Sequence, residues 1–258
     1  MIDIIGMGGS SRPVFDLKNP TEIDEYLVDW LERWRLEMGG IKGFVLAGHS
    51  FGGYVSGLYA VKYPQHVKKL LMISPLGVTR MPPGFDLNVE LEKFPPEVRP
   101  PKLLIKLLPK MWTYMSSPFD IIRSSGPYMS EAILNFYIKK RFQSLPAHEI
   151  VDYKDYMCKT LLRPASTENA LFVCFDHLLF PKHALEEDDR LGKLKIPMSF
   201  FYGDRDWMMK AGGINVLERN FYRGEHSHLH IIQNSDHHLY FDNPVGLIES
   251  IIKDLSNI

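Results

Sequence analysis

Ile23, Leu27, Trp30, Leu31, Trp34 and Met38 recur at three- and four-residue intervals, the spacing that lays one apolar stripe along an α-helix. Asn19-Pro20 opens the run, with Pro20 near the first turn, where a missing N–H costs nothing. Gly39-Gly40 closes it. Gly43-Phe44-Val45-Leu46-Ala47 is then continuously apolar, which predicts a short strand buried on both faces. A helix from Phe51 to Tyr63 and a strand at Leu70-Leu71-Met72-Ile73 follow. Strand, helix, strand in short order implies a parallel sheet with crossover helices. Upstream, Met1 to Ile5 is an apolar run broken by Asp3, and Gly6, Gly8, Gly9, Ser10 and Ser11 follow as a loop.

From Thr79 to Lys195 the strand pattern stops, and this stretch holds 12 of the 18 prolines. Helices are expected at Glu131 to Arg141 and Thr167 to Leu179, between Pro-rich turns. Residues 79–195 thus read as a helical lid inserted between two parts of one core, 1–78 and 196–258. The strand pattern returns at Ile196 to Tyr202. A helix near Ala211 to Arg219, a strand near Leu229 to Ile232 and a last helix from Pro244 complete the chain. Val245, Leu247, Ile248, Ile251, Ile252 and Leu255 are the expected apolar face of that last helix. The fold class is α/β, a mostly parallel sheet with crossover helices.

Composition narrows the functional classes. The 258 residues are enough for one large α/β domain. Thirty basic residues face 31 acidic ones, so no nucleic-acid partner is expected. Two cysteines, Cys158 and Cys174, make no disulfide framework and fit a reducing, intracellular compartment. No apolar run approaches the roughly 18–20 residues that span a bilayer. No signal-peptide pattern opens the chain.

The chemistry centres on Gly48-His49-Ser50-Phe51-Gly52. It follows an apolar strand and opens a helix, the context of a nucleophile elbow. A serine hydroxyl needs a base to take its proton, and must stand clear of the backbone for a carbonyl carbon to approach. The tight turn presents Ser50 in this way, with Gly48 and Gly52 expected to relieve crowding two residues either side. The Phe51 N–H, at the helix start, points toward a developing oxyanion. An acid and a base should follow in that chain order. Gly203-Asp204-Arg205-Asp206 lies just past a strand end, on the same sheet edge as the elbow. Asp206 is the expected acid, and Asp204 the competing candidate or a loop cap. Asn234-Ser235-Asp236-His237-His238 follows the last strand. His237 is the expected base, because the first histidine after that turn faces the elbow in this architecture. His226, His228 and His230 alternate and would share one strand face. No carboxylate or cysteine accompanies them at ligand spacing, so a solvated strand edge is expected there. No cofactor and no metal is expected.

With these motifs the chain resembles the α/β-hydrolase-domain 4/5-type proteins. These are lysophospholipases, N-acyl-phospholipid hydrolases and lipase co-activators of the α/β-hydrolase fold. Asp3-Ile-Ile-Gly6-Met-Gly8-Gly9-Ser10-Ser11-Arg12-Pro13 is similar to the family's loop after its fourth strand. Gly48 to Tyr54 and Lys62 to Val67 resemble its elbow and following helix, and Arg123 to Pro127 with Arg141-Phe142 its lid. Tyr202-Gly203-Asp204-Arg205-Asp206-Trp207-Met208 resembles its acid loop. The resemblance implies a serine hydrolase acting on an acyl ester or amide of a (lyso)phospholipid-like lipid, with Ser50, Asp206 and His237 as its triad. It also implies an alternative, acyl transfer onto lysophosphatidic acid, through a His-x-x-x-x-Asp motif matched by His237 and Asp242. Asp242 or Asn243, just before Pro244, is equally placed to cap the last helix.

The resemblance begins at the family's fourth strand. The three earlier strands, and the loop after the third that gives a second oxyanion donor, are expected to be missing. Losing one donor costs about 10²–10³ in turnover. The Phe44 strand would then be an unprotected apolar edge. The expectation is a chain shortened at its N-terminus; the alternative is a short form that dimerises through that edge. A third functional reading, a non-catalytic lipid-associated interaction protein, follows from the same gap. Lys102-Leu-Leu-Ile-Lys106-Leu-Leu-Pro109-Lys110-Met111-Trp112 mixes lysines with leucines and suits either a membrane or lipid-droplet surface or an ordinary lid helix. The expected partner is a lipid substrate, and the expected location soluble or peripheral to a membrane.

Overall fold

The computed structural model describes residues 1–92, 99, 102–114, 119–142 and 145–256; of the side chains within them, those of Leu104, Ile121 and Lys140 lie outside the description. Helix α1 (Pro20–Glu37) starts where Asn19 accepts hydrogen bonds from the N–H groups of Thr21 and Glu22 at 2.8 and 3.3 Å. Its Ile23, Leu27 and Leu31 are buried, whereas Met38 lies beyond the helix end and is exposed. Strand β1 (Phe44–His49), helix α2 (Phe51–Lys62) and strand β2 (Val67–Ile73) follow. Helices α3 (Leu87–Glu92), α4 (Lys102–Tyr114), α5 (Asp120–Ser124), α6 (Pro127–Arg141), α7 (Ala147–Leu161) and α8 (Ala170–Cys174) come next. Strand β3 (Met198–Gly203), helix α9 (Ala211–Arg219), strand β4 (Leu229–Ile232) and helices α10 (Leu239–Asp242) and α11 (Pro244–Leu255) complete the described chain.

The four strands pair in parallel in the order β1-β2-β3-β4. Side chains alternate across this sheet. Leu70, Met72, Phe200 and Tyr202 join the main core with Ile23, Tyr54 and Val216. Leu71, Phe201 and Ile232 face the other way, toward Leu239 and Leu247. The C-terminal ends of all four strands therefore share one edge, where short loops carry the candidate chemistry.

Three expectations need correction. β1 is not buried on both faces: it is the sheet's edge, with Val45 and Ala47 exposed. The helix expected from Thr167 to Leu179 ends at Cys174. There the Asp176 carboxylate accepts the N–H groups of Leu178 and Phe180 at 2.8 and 2.9 Å, folding the next residues into a turn. On α11, Leu247, Ile251 and Leu255 pack on the sheet, but Val245, Ile248 and Ile252 form an exposed stripe. Asn243 caps that helix by accepting the Gly246 N–H at 2.9 Å.

Candidate active site

Ser50 sits between β1 and α2 with φ 53° and ψ −120°, a backbone conformation L-residues rarely adopt. The surrounding bonds hold it there. Its N–H donates to the Ile73 carbonyl at 3.1 Å, and its own carbonyl accepts the N–H groups of Gly53 and Leu76 at 2.9 and 3.0 Å. A Cβ on Gly48 would lie 2.3 Å from the Gly52 carbonyl oxygen, so glycine is needed there. Gly52 is different: a Cβ there would meet open space. The second steric requirement falls on Gly53, whose Cβ would come within 2.7 Å of the Pro75 Cβ. Phe51 is the first residue of α2, so its N–H has no intrahelical acceptor.

The structure brings the three sequence candidates together from opposite ends of the chain. His237 Nε2 lies 3.0 Å from Ser50 Oγ. His237 Nδ1 lies 3.4 Å from Asp206 Oδ1, a contact too long and too poorly aligned for a good hydrogen bond. Asp206 is held firmly by other groups. Its Oδ2 accepts the Ser74 hydroxyl at 2.5 Å and its Oδ1 the Met208 N–H at 3.0 Å. Burial by itself would raise this carboxyl, but the neighbouring His237 ring and the hydrogen bonds from Ser74 and Met208 more than offset it and hold it below the usual carboxylate range. Asp204 is separate: it accepts the Ser235 N–H at 2.9 Å and braces the β4 loop.

Two neighbours of the triad candidates are not legible as such in the motifs. Ser74 directly follows β2 at the same sheet edge, and that position is the only local hint of its contact with Asp206. His49 donates from Nε2 to the His237 carbonyl at 2.8 Å, and its ring lies 4.8 Å from that of His237. A carbonyl accepts only, so this bond fixes the His49 tautomer. Burial first, then the neighbouring His237, lowers the His49 imidazole to about 4. The Trp207 ring, 45% exposed, lies 5.0 Å from the His237 ring and shields one side of it.

Asp242 does not cap α11. Its two oxygens accept from Arg141 of α6, each at 3.0 Å, and Oδ2 also accepts the Asp236 N–H at 2.9 Å. Arg12 and Arg123 are likewise structural. Both bond Glu168, and Arg12 also reaches the Thr160 carbonyl at 2.8 Å, tying the N-terminal loop to the last turn of α7 and the chain after it. A cleft of about 500 Å³ lies between that loop and α1, lined by residues including Ile5, Arg12, Tyr26 and Trp30; none of Ser50, Asp206 and His237 borders it. The histidine pattern also resolves differently from expectation. His228 and His230 do meet a carboxylate, that of Asp254 in α11, 24 or more residues away in sequence. Among the described residues no helix is long and apolar enough to cross a membrane.

The parallel sheet with its crossover helices has the α/β-hydrolase fold, and a family model described as alpha/beta hydrolase fold matches residues 1–100. Solved structures agree on the fold. A bromoperoxidase from Bacillus anthracis superposes with TM-score 0.62 at 18% identity, covering 98% of this chain and 79% of that one. An esterase from Exiguobacterium antarcticum gives 0.61 at 15% identity, covering 97% and 78%. Within that class, the resemblance to the α/β-hydrolase-domain 4/5-type proteins is met by the curated relatives. The chain is 30% identical over 258 residues to a 1-acylglycerol-3-phosphate O-acyltransferase of Arabidopsis thaliana, covering 97% of this chain and 58% of the relative. It is 27% identical over 258 residues to a (Lyso)-N-acylphosphatidylethanolamine lipase of Homo sapiens, covering 98% and 69%. The chain thus spans 58–63% of the length of the plant and yeast acyltransferases it matches.

Proposed function

We propose that this chain carries the catalytic centre of a serine hydrolase that cleaves an acyl ester or amide of a (lyso)phospholipid-like lipid. The observation that carries the proposal is the 3.0 Å contact between Ser50 Oγ and His237 Nε2 at a strained elbow, with a buried Asp206 behind the ring. Ser50 Oγ attacks the acyl carbonyl while His237 Nε2 takes its proton. The oxyanion that forms faces the Phe51 N–H at the start of α2. Collapse expels the alcohol or amine, which takes the proton back from His237. Water then repeats the sequence and releases the fatty acid. Asp206 orients the ring and stabilises the imidazolium, its 3.4 Å contact tightening as the charge forms.

The lipid part of the proposal is supported by the names of the relatives, lipases and acyltransferases of glycerophospholipids. The stretch 79–195 between β2 and β3 serves as the lid in this reading.

Acyl transfer is the second reading, favoured by the plant and yeast relatives named as acyltransferases. It uses the same acyl-enzyme, with a lysophospholipid in place of water. Both Asp242 oxygens are already committed to Arg141, so Asp242 would serve it by position and not as a base.

A fluorophosphonate probe applied to the full chain tests the centre: Ser50 should be labelled, and Ser50→Ala should not. Absence of labelling in a folded protein would leave only a non-catalytic, lipid-associated role. Product analysis with an N-acyl phospholipid, with and without lysophosphatidic acid, then separates hydrolysis from transfer.

A further inference from the structure

Away from the elbow, a second cluster of side chains lies near the N-terminal ends of the strands. His228, just before β4, and His230 within it share the face covered by α11, by the alternation of extended chain. Asp254, the penultimate residue of that helix, reaches between them. His228 Nδ1 is 2.9 Å and His230 Nε2 3.0 Å from the same oxygen, Asp254 Oδ1. Ser199 Oγ of β3 lies 2.9 Å from that oxygen as well. Three donors thus converge on one carboxylate oxygen, which has two lone pairs. The other oxygen, Oδ2, contacts the ammonium of the fully buried Lys69 at 2.6 Å, off the line of a good hydrogen bond. Asp254 is fully buried, whereas the His228 and His230 side chains are 35% and 20% exposed. The cluster is therefore closed on the sheet side and open to solvent on the other.

We propose that His228 Nδ1, His230 Nε2 and Asp254 Oδ1 form a binding site for a zinc-class divalent metal ion, separate from the Ser50 centre. These three ligand atoms lie within 4.8 Å of one another. Two imidazoles and one carboxylate are a donor set suited to zinc, with the solvent side left for a water. Binding needs little movement. Bond lengths of about 2.0–2.1 Å to a tetrahedral ion place ligand atoms roughly 3.3 Å apart; the two nitrogen–oxygen distances of 2.9 and 3.0 Å spread slightly, and the two ring nitrogens, now within 4.8 Å of each other, settle at that spacing. Each ring would keep its proton on the other nitrogen and turn a lone pair to the metal. One ion would replace the crowded donors at Oδ1 and tie β4 to α11.

Lys69 sets the strength of the site. Its ammonium already neutralises Asp254 from the Oδ2 side, so the metal shares its carboxylate with a second cation. Affinity should accordingly be weaker than at a closed structural zinc site. Replacing Lys69 should strengthen binding, because the metal then supplies the charge the ammonium gave.

The test is a Co²⁺ and Zn²⁺ titration of the full chain, followed by visible absorption, calorimetry and thermal melting. One metal should bind per chain, with a cobalt spectrum of low coordination number and a raised Tm. His228→Gln and His230→Gln should each weaken binding at least tenfold, while Ser50 labelling by the fluorophosphonate probe stays unchanged. Lys69→Met should be destabilised without metal and recover with Zn²⁺. Cys158→Ser with Cys174→Ser excludes thiol binding. The proposal is overturned if no stoichiometric binding occurs, or if binding survives both histidine substitutions. His228→Gln keeps the test decisive if Lys69→Met fails to fold, because His228 is partly exposed.

Discussion

The guanidinium of Arg141 grips the carboxylate of Asp242 through two 3.0 Å hydrogen bonds, joining α6 to the segment that carries His237. The same carboxylate accepts the Asp236 N–H at 2.9 Å, so one acid holds both the helix and the turn beside the candidate base. Arg141→Ala should cost about 2–4 kcal/mol, since it leaves a largely buried carboxylate unpaired. Urea denaturation measures this. Labelling of Ser50 should slow in the same variant, because the turn loses its anchor. A stability change below about 0.5 kcal/mol would show the pair to be incidental.

Asp206 and Ser74 should separate by magnitude. Asp206→Asn should lower the rate of Ser50 acylation by about 10³–10⁴-fold, because the amide no longer stabilises the imidazolium. Ser74→Ala removes one hydrogen bond to a charged group and should cost about 1–3 kcal/mol of stability. Its effect on acylation should be far smaller than that of Asp206→Asn. Stopped-flow labelling with the same probe compares them. Equal losses would mean that Ser74 shares the chemistry.

Burial and the neighbouring His237 lower the His49 imidazole to about 4, and burial with the surrounding His237, His49 and Arg141 lowers His238 to about 3. An unfolded histidine titrates near 6.5. Between those values the unfolded chain binds more protons than the folded one, so stability rises with pH there. It is complete above about pH 6.5 and is lost as pH falls toward 4. His49→Gln keeps a donor for the His237 carbonyl but cannot titrate. Its unfolding free energy should therefore depend less on pH across that window. An unchanged slope would assign the acid sensitivity elsewhere.

The glycines of the elbow should respond unequally. Gly52→Ala should be tolerated or stabilising by up to about 1 kcal/mol, since it adds a good helix former where space is open. Gly48→Ala and Gly53→Ala should each destabilise by more than about 2 kcal/mol, because backbone or Pro75 must move. Thermal melts of the three variants rank them.

Much of this arrangement was readable before folding. The ends of α9 and β4 and the Asn19 and Asn243 caps follow from local pattern, because helix stripes and caps depend on neighbours within a turn or two. The convergence of Ser50, Asp206 and His237 was legible because each follows a strand, and parallel strands deliver their ends to one edge. Gly52 was credited with a steric role that belongs to Gly53, since the clash is with Pro75, 22 residues away. The split of the α11 apolar residues into packed and exposed stripes depends on which side of that helix the sheet covers.

Local periodicity was thus enough for the parallel α/β core and the elbow, because those signals lie within short stretches of chain. The contacts that give the elbow its surroundings were set by folding. Ser74 meets Asp206, Arg141 meets Asp242, and His228 and His230 meet Asp254. Each pair is brought together by sheet order and helix packing across 24 to 132 residues of separation, a range over which side-chain spacing along the chain carries no information.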